Sequence, residues 1–273
     1  MVEGRLYVVS TPIGNLADLT FRAVDILKTV DRILCEDTRH TRILLDHYAI
    51  RTPTSAYHEH NEAKAAPRIV AELAKGAALA LVTDAGTPIL SDPGARLVRA
   101  AIEAGVRVEP VPGASALLAA IVAAGLDADR FTFFGFLPRK GAERRSLLGR
   151  IATAEHLTIL YEAPGRVAAT LGEIGGTRPA VVARELTKQF EELRRGTVAE
   201  LAAYYAEHPP RGEVVVLIAG GTASPPEEAV VRKRAGMLRQ HGASAREIMQ
   251  ALTAEFGLAR NVAYRLAHEE EDE

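Results

Sequence analysis

Residues 5–15 read RLYVVSTPIGN, a short apolar run that is followed at once by small, turn-forming residues. Similar apolar runs at 31–36, 77–83, 107–111, 131–136, 158–161, 180–185 and 213–218 alternate with longer amphipathic stretches. This alternation is typical of βα units that feed a mostly parallel sheet. The sequence therefore predicts an α/β fold with mostly parallel sheets.

Clusters of Gly, Pro, Ser, Thr and Asp mostly follow the predicted strands rather than precede them. They lie at 10–15, 83–88, 110–115, 162–165 and 184–188. Because the carboxyl ends of parallel strands form the ligand crevice of an open sheet, we expect these loops to converge on one site. Small residues there let backbone groups approach a ligand closely; one such loop alone is better explained as a turn, whereas five at the same sheet edge favour a site.

Several common ligand motifs are missing from these loops. The sequence has no G-x-G-x-x-G after a strand, no G-x-x-x-x-G-K-[ST] and no G-x-S-x-G. The usual signals of a dinucleotide site, a nucleoside triphosphate site and an α/β-hydrolase nucleophile are thus absent.

The chain of 273 residues is long enough for two α/β domains. The apolar segment 114–125 (ASALLAAIVAAG) and the breaker-rich segment 220–226 (GGTASPP) mark the changes of pattern. We predict an N-terminal domain at 1–112, a second α/β domain at 113–222, a short C-terminal helical module at 227–268 and an acidic tail at 269–273.

Charge and cysteine content limit the possible functions. The formal net charge is −2, but the last five residues are all acidic, so residues 1–268 carry 33 basic side chains against 30 acidic ones. That balance does not by itself predict nucleic-acid binding. One cysteine, no signal sequence and no run near ~18 apolar residues predict a cytoplasmic protein without a membrane segment.

Polar and basic clusters stand apart from the glycine loops. Residues 36–42 (EDTRHTR) leave the second strand and open a helix, where Asp37 or Thr38 is the expected N-cap. His58 and His60 are two residues apart, but no third ligand has a recognisable spacing, so we expect no metal. Basic residues gather at 139–150 and 232–239, where they either contact phosphates or form solvated helix faces.

Taken together, these segments resemble the ribosomal-RNA methyltransferases of the tetrapyrrole methylase family over nearly the whole chain. The resemblance is carried by 6–16 (LYVVSTPIGNL), 36–41 (EDTRHT), 57–62 (YHEHNE), 84–88 (DAGTP), 91–94 (SDPG), 111–113 (VPG), 135–140 (GFLPRK) and 183–188 (ARELTK). One segment departs from the family pattern, because 161–166 reads YEAPGR where members often carry Ser and His.

The resemblance implies a two-domain fold, normally a homodimer, that binds S-adenosylmethionine between the domains. It further implies methyl transfer to the ribose 2′-oxygen of a cytidine in the decoding region of small-subunit (16S) ribosomal RNA, either naked or in the assembled subunit. The cofactor residues expected from it are Pro12, Ile13, Gly14, Asp84, Gly86, Thr87, Pro88, Ser115, Ala116, Tyr161 and Ala183. Within that set we expect Asp84 to act through its charge, and Gly86 and Thr87 through their backbones.

The catalytic and substrate-binding residues stay open at this stage. Four side chains are candidates to accept or relay the hydroxyl proton: Asp37, His58, Glu185 and Lys188. The candidate substrate-binding residues are Arg39, His40, His60, Asn61, Arg139, Lys140 and Arg184. Two other functions remain possible, a methyltransferase for a small tetrapyrrole-like molecule and a non-enzymatic RNA-binding assembly factor.

Overall fold

A computed structural model describes residues 4–221, 228–256, 258 and 260–268 of the chain. Contacts divide the chain into two compact units, Met1–Gly220 and Gly221–Glu273. The predicted acidic tail, and all but two residues of the predicted linker, lie outside the described residues. None of the described helices is both long enough and apolar enough to cross a membrane.

The first half of the larger unit is a parallel sheet with helices between its strands. Its elements are β1 (Arg5–Val9), α1 (Phe21–Thr29), β2 (Arg32–Cys35), α2 (Thr38–His47), β3 (Thr54–Ala56), α3 (Glu62–Ala74), β4 (Ala78–Leu81), α4 (Ala95–Glu103) and β5 (Arg107–Val111). The strand order is β3-β2-β4-β1-β5, and every neighbouring pair is parallel.

Both faces of this sheet are buried, which explains why its strands have nearly continuous apolar runs. Ala80 and Val82 pack on the side of α1 and α2, whereas Leu79 and Leu81 pack on the side of α3 and α4. Successive side chains of a strand point to opposite faces, so one short apolar run contributes to two cores.

The second half of the unit is built on a mixed sheet. Its elements are α5 (Ala116–Ala124), β6 (Phe131–Phe136), α6 (Ala142–Ala152), β7 (Leu157–Glu162), α7 (Val167–Ile174), β8 (Pro179–Arg184), β9 (Glu192–Thr197), α8 (Val198–Glu207) and β10 (Val214–Ile218). The strand order is β6-β7-β10-β8-β9, and only β6 and β7 are parallel.

The prediction of α/β structure is confirmed, and the first sheet is parallel as expected. The expectation of a mostly parallel second sheet is wrong, because three of its four strand pairs are antiparallel. Strands β3 and β9 were also not predicted. The proposed domain boundary near residue 112 falls between the two sheets, inside one compact unit, and the division there stays a prediction.

The C-terminal helices form their own small core. They are α9 (Glu228–Gln240), α10 (Ala245–Phe256) and α11 (Arg260–His268). Val231, Ile248, Leu252 and Leu266 are buried together there, and Arg234 pairs with Glu255 across α9 and α10 at 2.6 Å. Three helices are thus present where the sequence predicts a helical module.

Candidate functional site

A cavity of about 280 Å³ opens where loops of the two sheets of the larger unit meet. This volume lies near the lower end of the range for small-molecule sites, ~300–1,000 Å³. Residues from both halves line it: Ile13, Ala85, Gly86, Thr87, Leu90, Ser91, Asp92, Ser115, Ala116, Phe136, Tyr161, Glu162, Ala163, Pro164, Leu186, Gly212, Glu213, Val214 and Val215.

Hydrogen bonds hold the loops that follow β1, β4 and β5 together. The backbones of Thr11 and Gly86 exchange two hydrogen bonds, of 2.8 and 3.1 Å. The Thr87 hydroxyl lies 3.0 Å from the Ser10 hydroxyl and donates to the carbonyl of Ala114 at 3.2 Å. These three loops therefore converge at the carboxyl edge of the first sheet, as the sequence predicts.

Six of the eleven expected cofactor residues line the cavity. They are Ile13, Gly86, Thr87, Ser115, Ala116 and Tyr161. The rings of Phe133 and Phe136 lie 4.8 and 5.5 Å from that of Tyr161, and burial raises the pKa of the tyrosine. One wall of the cavity is thus aromatic.

The other five expected cofactor residues, Pro12, Gly14, Asp84, Pro88 and Ala183, do not line the cavity. Ala183 is fully buried in β8, and Gly14 lies beneath Lys188. The carboxylate of Asp84 accepts the backbone N–H of Asp37 at 3.2 Å. Asp84 therefore connects the loop after β4 to the start of α2, and its proposed role toward the cofactor stays a prediction.

Three carboxylates line the cavity, and their surroundings differ. Glu162 is fully buried and accepts from Arg166 at 2.5 Å, from Thr170 at 2.6 Å and from the N–H of Ala163 at 2.8 Å. Glu213 accepts from Lys188 at 2.9 Å. Asp92 has no cationic partner among the described residues; burial raises its pKa, the neighbouring Thr83 hydroxyl opposes this shift, and the nearby charge of Asp84 adds to it. In the sequence, Asp92 is marked only by its place in the SDPG segment.

The four candidate proton acceptors occupy different environments. Asp37 caps α2 and binds Arg39 through both carboxylate oxygens, at 3.2 and 2.8 Å, so hydrogen bonds and charge lower its pKa. Glu185 accepts from the N–H of Glu213 and from Lys188, each at 3.0 Å, and these bonds lower its pKa as well. Two carboxylates around Lys188 outweigh its desolvation, so the lysine pKa is raised.

His58 differs from these three because its Nδ1 is buried without a hydrogen-bond partner among the described groups. Its ring lies 6.0 Å from that of His60, which is exposed. Asn61 holds the turn, since its amide accepts the N–H of His58 and donates to the carbonyl of Ala56, both at 3.0 Å. Among the described residues, no three His, Cys, Asp or Glu side chains are placed to share a metal ion.

The basic residues near the cavity fall into two groups. Arg139 and Lys140 are exposed at the end of the 135–140 segment. Arg144, by contrast, is buried, binds Glu173 at 2.7 and 3.2 Å, and donates to the carbonyl of Pro138 at 3.2 Å. Arg144 thus positions the loop that carries Arg139 and Lys140, and its assignment to a solvated face or a phosphate contact is wrong.

The other candidate substrate residues lie near the surface. His40 is exposed on α2, and Arg39 next to it is engaged by Asp37. Arg184 donates to Glu192 at 2.8 Å across β8 and β9. Two of the four Arg and Lys side chains in the predicted substrate set are therefore already held by protein carboxylates.

Comparison with known proteins agrees with this architecture. The family model for tetrapyrrole (corrin/porphyrin) methylases matches residues 5–202. A Synechocystis protein named ribosomal RNA small subunit methyltransferase I is 46% identical over 97% of this chain and 98% of its own length. A Mesorhizobium japonicum protein of the same name is 49% identical over 84% of this chain and 79% of its own length.

Solved structures with low sequence identity to this chain have the same fold. A cobalt precorrin-4 methyltransferase superposes with a TM-score of 0.59 at 20% identity, over 79% of this chain and 94% of that chain. A diphthine synthase gives 0.58 at 15% identity, over 79% and 89%. At such identities the likeness concerns the fold alone.

Proposed function

Because this chain belongs to the tetrapyrrole methylase family, we propose that it methylates the ribose 2′-oxygen of a cytidine in the decoding region of small-subunit ribosomal RNA. Its methyl donor is S-adenosylmethionine, which supplies an activated methyl group when bound. The observation that supports an RNA substrate is the 46% identity, over 97% of this chain, to a relative named ribosomal RNA small subunit methyltransferase I.

The cavity suits a nucleoside donor that carries a positive charge. The small residues Ala85, Gly86 and Thr87 line it together with the apolar residues Ile13 and Leu186. A third carboxylate, that of Asp92, is neutralised by no cation of the described residues. Ligand sites with mostly apolar walls and a few polar groups bind and orient ligands of this size.

The exposed pair Arg139 and Lys140 is the best-supported contact for RNA phosphates. Arg144 and Arg166 donate to the carbonyls of Pro138 and Leu137, at 3.2 and 3.3 Å, directly before that pair. A loop held by two guanidinium contacts keeps its exposed cations in place near Phe136, which lines the cavity. Phosphate contacts of this kind fix the register of the nucleic acid.

We also propose that His58 accepts the proton of the attacking hydroxyl. Nδ1 of His58 is buried and has no hydrogen-bond partner among the described groups, so it is not committed to another group, and RNA binding must open the 58–61 turn for the hydroxyl to reach it. Both carboxylate oxygens of Asp37 and one of Glu185 accept hydrogen bonds, and Lys188 is held in its charged form. Positioning of the hydroxyl remains the larger contribution expected, because oriented reactants gain ~7–11 kcal/mol.

A homodimer and a cytoplasmic location complete the proposal. On α5, Leu118 and Val122 are 55% and 83% exposed, so this helix presents apolar surface that a second copy could cover. Sedimentation of the parent protein and of Val122→Glu tests this assignment. A monomeric parent would contradict it.

The reaction is tested by incubating the protein with labelled S-adenosylmethionine and, separately, with small ribosomal subunits, naked small-subunit RNA and porphyrinogens. We expect label in RNA, at a single cytidine whose 3′ linkage resists alkaline cleavage because its 2′-oxygen is blocked. Label in the porphyrinogen would indicate a small-molecule methyltransferase. Donor binding without transfer to any of the three would indicate an assembly factor.

A further inference from the structure

Asp92 occupies an unusual position among the charged groups of the larger unit. It is one of three carboxylates that line the cavity, and the other two are matched by Arg166 and Lys188. Its nearest lining neighbours along the chain are Leu90 and Ser91, neither of which carries charge. A half-buried carboxylate is costly without a counter-charge, and the neighbouring Thr83 hydroxyl supplies none, so Asp92 is placed to meet a positive charge that the described residues do not supply.

The loop that carries Asp92 is held in a conformation that its residues disfavour. Ile89 and Ser91 have φ angles of +79° and +71°, in the left-handed region that β-branched residues in particular avoid. The loop lies close to its neighbours at two points. A Cβ on Gly94 would stand 2.7 Å from Cδ2 of Leu81, and one on Gly135 would stand 3.0 Å from the Ser91 hydroxyl.

Such strain persists only where the surrounding structure fixes it, and it concentrates at ligand sites. Here the two strained residues, Ile89 and Ser91, come three positions and one position before Asp92, in the stretch of the loop that reaches the cavity. Phe136 and Tyr161 line the same cavity, with their ring centroids 5.5 Å apart, and Asp92 itself is partly buried there. An ion pair formed in such a site is screened less than one at the surface.

We propose that the Asp92 carboxylate is the counter-charge for a cationic group of the methyl donor, either its sulfonium or its α-ammonium. This inference rests on the proposed function, since it takes the cavity to be the donor site. No bond is made or broken by Asp92 in this role. It holds the donor by charge, and its effect is therefore visible in binding alone.

The test is calorimetric titration of the parent, Asp92→Asn and the matched surface control Asp127→Asn with three ligands. S-adenosylmethionine carries both cations, S-adenosylhomocysteine carries only the ammonium, and methylthioadenosine carries neither. We expect Asp92→Asn to weaken S-adenosylmethionine by about tenfold or more and to leave methylthioadenosine within about twofold. If Asp92→Asn also weakens the affinity for S-adenosylhomocysteine, the partner of Asp92 is the ammonium. If it weakens the affinity for S-adenosylmethionine alone, the partner is the sulfonium.

Two results overturn the inference: unchanged affinity of Asp92→Asn for S-adenosylmethionine, or an equal loss for all three ligands, which would mean a distorted pocket. If Asp92→Asn does not fold by circular dichroism, Asp92→Ser is read by the same criteria. Failure of the proposed function is distinct, because the parent protein would then bind no S-adenosylmethionine or would transfer its methyl group to no RNA.

Discussion

The side chain of Lys188 lies across Gly14, so closely that a Cβ on Gly14 would stand 2.5 Å from Cγ of Lys188. Gly14 follows β1 of the first sheet, whereas Lys188 follows β8 of the second. The ammonium of Lys188 continues to Glu185 and Glu213, at 3.0 and 2.9 Å, and the N–H of Asn15 donates to Thr187 at 3.2 Å. The absence of a side chain at Gly14 thus permits the contact that joins the two halves beside the cavity.

Gly14→Ala should therefore displace Lys188 and disturb the adjoining Ile13, which lines the cavity. We expect single-turnover methylation to fall by about a hundredfold, because a misplacement of ~1 Å has that order of effect. Gly149→Ala is the control, since a Cβ there has open space and sits in helix α6, where it should raise the free energy of unfolding by about 0.5–1 kcal/mol. Parent-like methylation by Gly14→Ala would show that the Lys188 contact is dispensable.

The proton-acceptor assignment predicts different behaviour of two neighbouring histidines. His58→Ala should slow single-turnover methylation by about 10²–10⁴-fold, the usual contribution of a general base, with little change in donor affinity. His60→Ala is the matched comparison: His60 is exposed on the same turn and is a candidate RNA contact, so its loss should weaken RNA binding but leave the single-turnover rate at saturating RNA unchanged. Equal, small effects of the two substitutions would exclude His58 as the base.

Most strands of the two sheets can be predicted from sequence because each has a local signal. Runs such as 107–111 and 131–136 match the observed strands residue for residue. Strand β9 was missed because its sequence, ELRRGT, is charged, as suits an edge strand whose neighbour lies on one side only. Strand β3 has only three residues and no apolar run.

Whether the strands of the second sheet run parallel or antiparallel could not be predicted from the sequence, because both kinds of central strand have the same apolar pattern. All five residues of β10 are buried, so the strand has the continuous apolar run that a central parallel strand would have, although both its neighbours are antiparallel. Periodicity reports burial and not strand direction.

Sequence reasoning found the loops of the candidate site but not the carboxylate of Asp92. Position at the carboxyl end of a strand is a local signal, and it marked Gly86, Thr87 and Ser115 correctly as cavity residues. The orientation of Asp92 depends on positive φ angles at Ile89 and Ser91, which neither residue type favours. A residue placed by tertiary packing against local preference leaves no pattern in the sequence.

The ion pair between Arg144 and Glu173 predicts how stability depends on pH. Hydrogen bonds from Arg144 lower the pKa of Glu173 below its ordinary value of 4.5. A carboxylate whose pKa is lower in the folded state than in the unfolded state adds to the free energy of unfolding. This contribution is complete above the unfolded pKa and is lost as the pH falls through the folded pKa.

Glu173→Gln should therefore lower the free energy of unfolding at pH 7, and the difference from the parent should shrink steadily below about pH 4.5. Urea unfolding at several pH values measures this difference. Glu103→Gln is the control, because Glu103 is exposed and has no ion-pair partner among the described residues. A difference that stays constant down to about pH 3 would mean that the substitution acts through packing and not through lost charge.

The exposed pair beside the cavity predicts the salt dependence of RNA binding. Arg139→Ala and Lys140→Ala should each weaken binding to small-subunit RNA and reduce the slope of log affinity against log salt by roughly one, because each substitution removes one phosphate contact. Arg130→Ala is the control, since Arg130 is equally exposed but precedes β6, at the strand end opposite to the 135–140 segment.

The effects of Arg139→Ala and Lys140→Ala on RNA affinity should add, because the two exposed cations act on separate phosphates. Arg144→Ala should weaken both phosphate contacts at once, because it releases the carbonyl of Pro138. If Arg130→Ala changed the slope as much as Arg139→Ala, RNA binding would follow overall charge and not this loop.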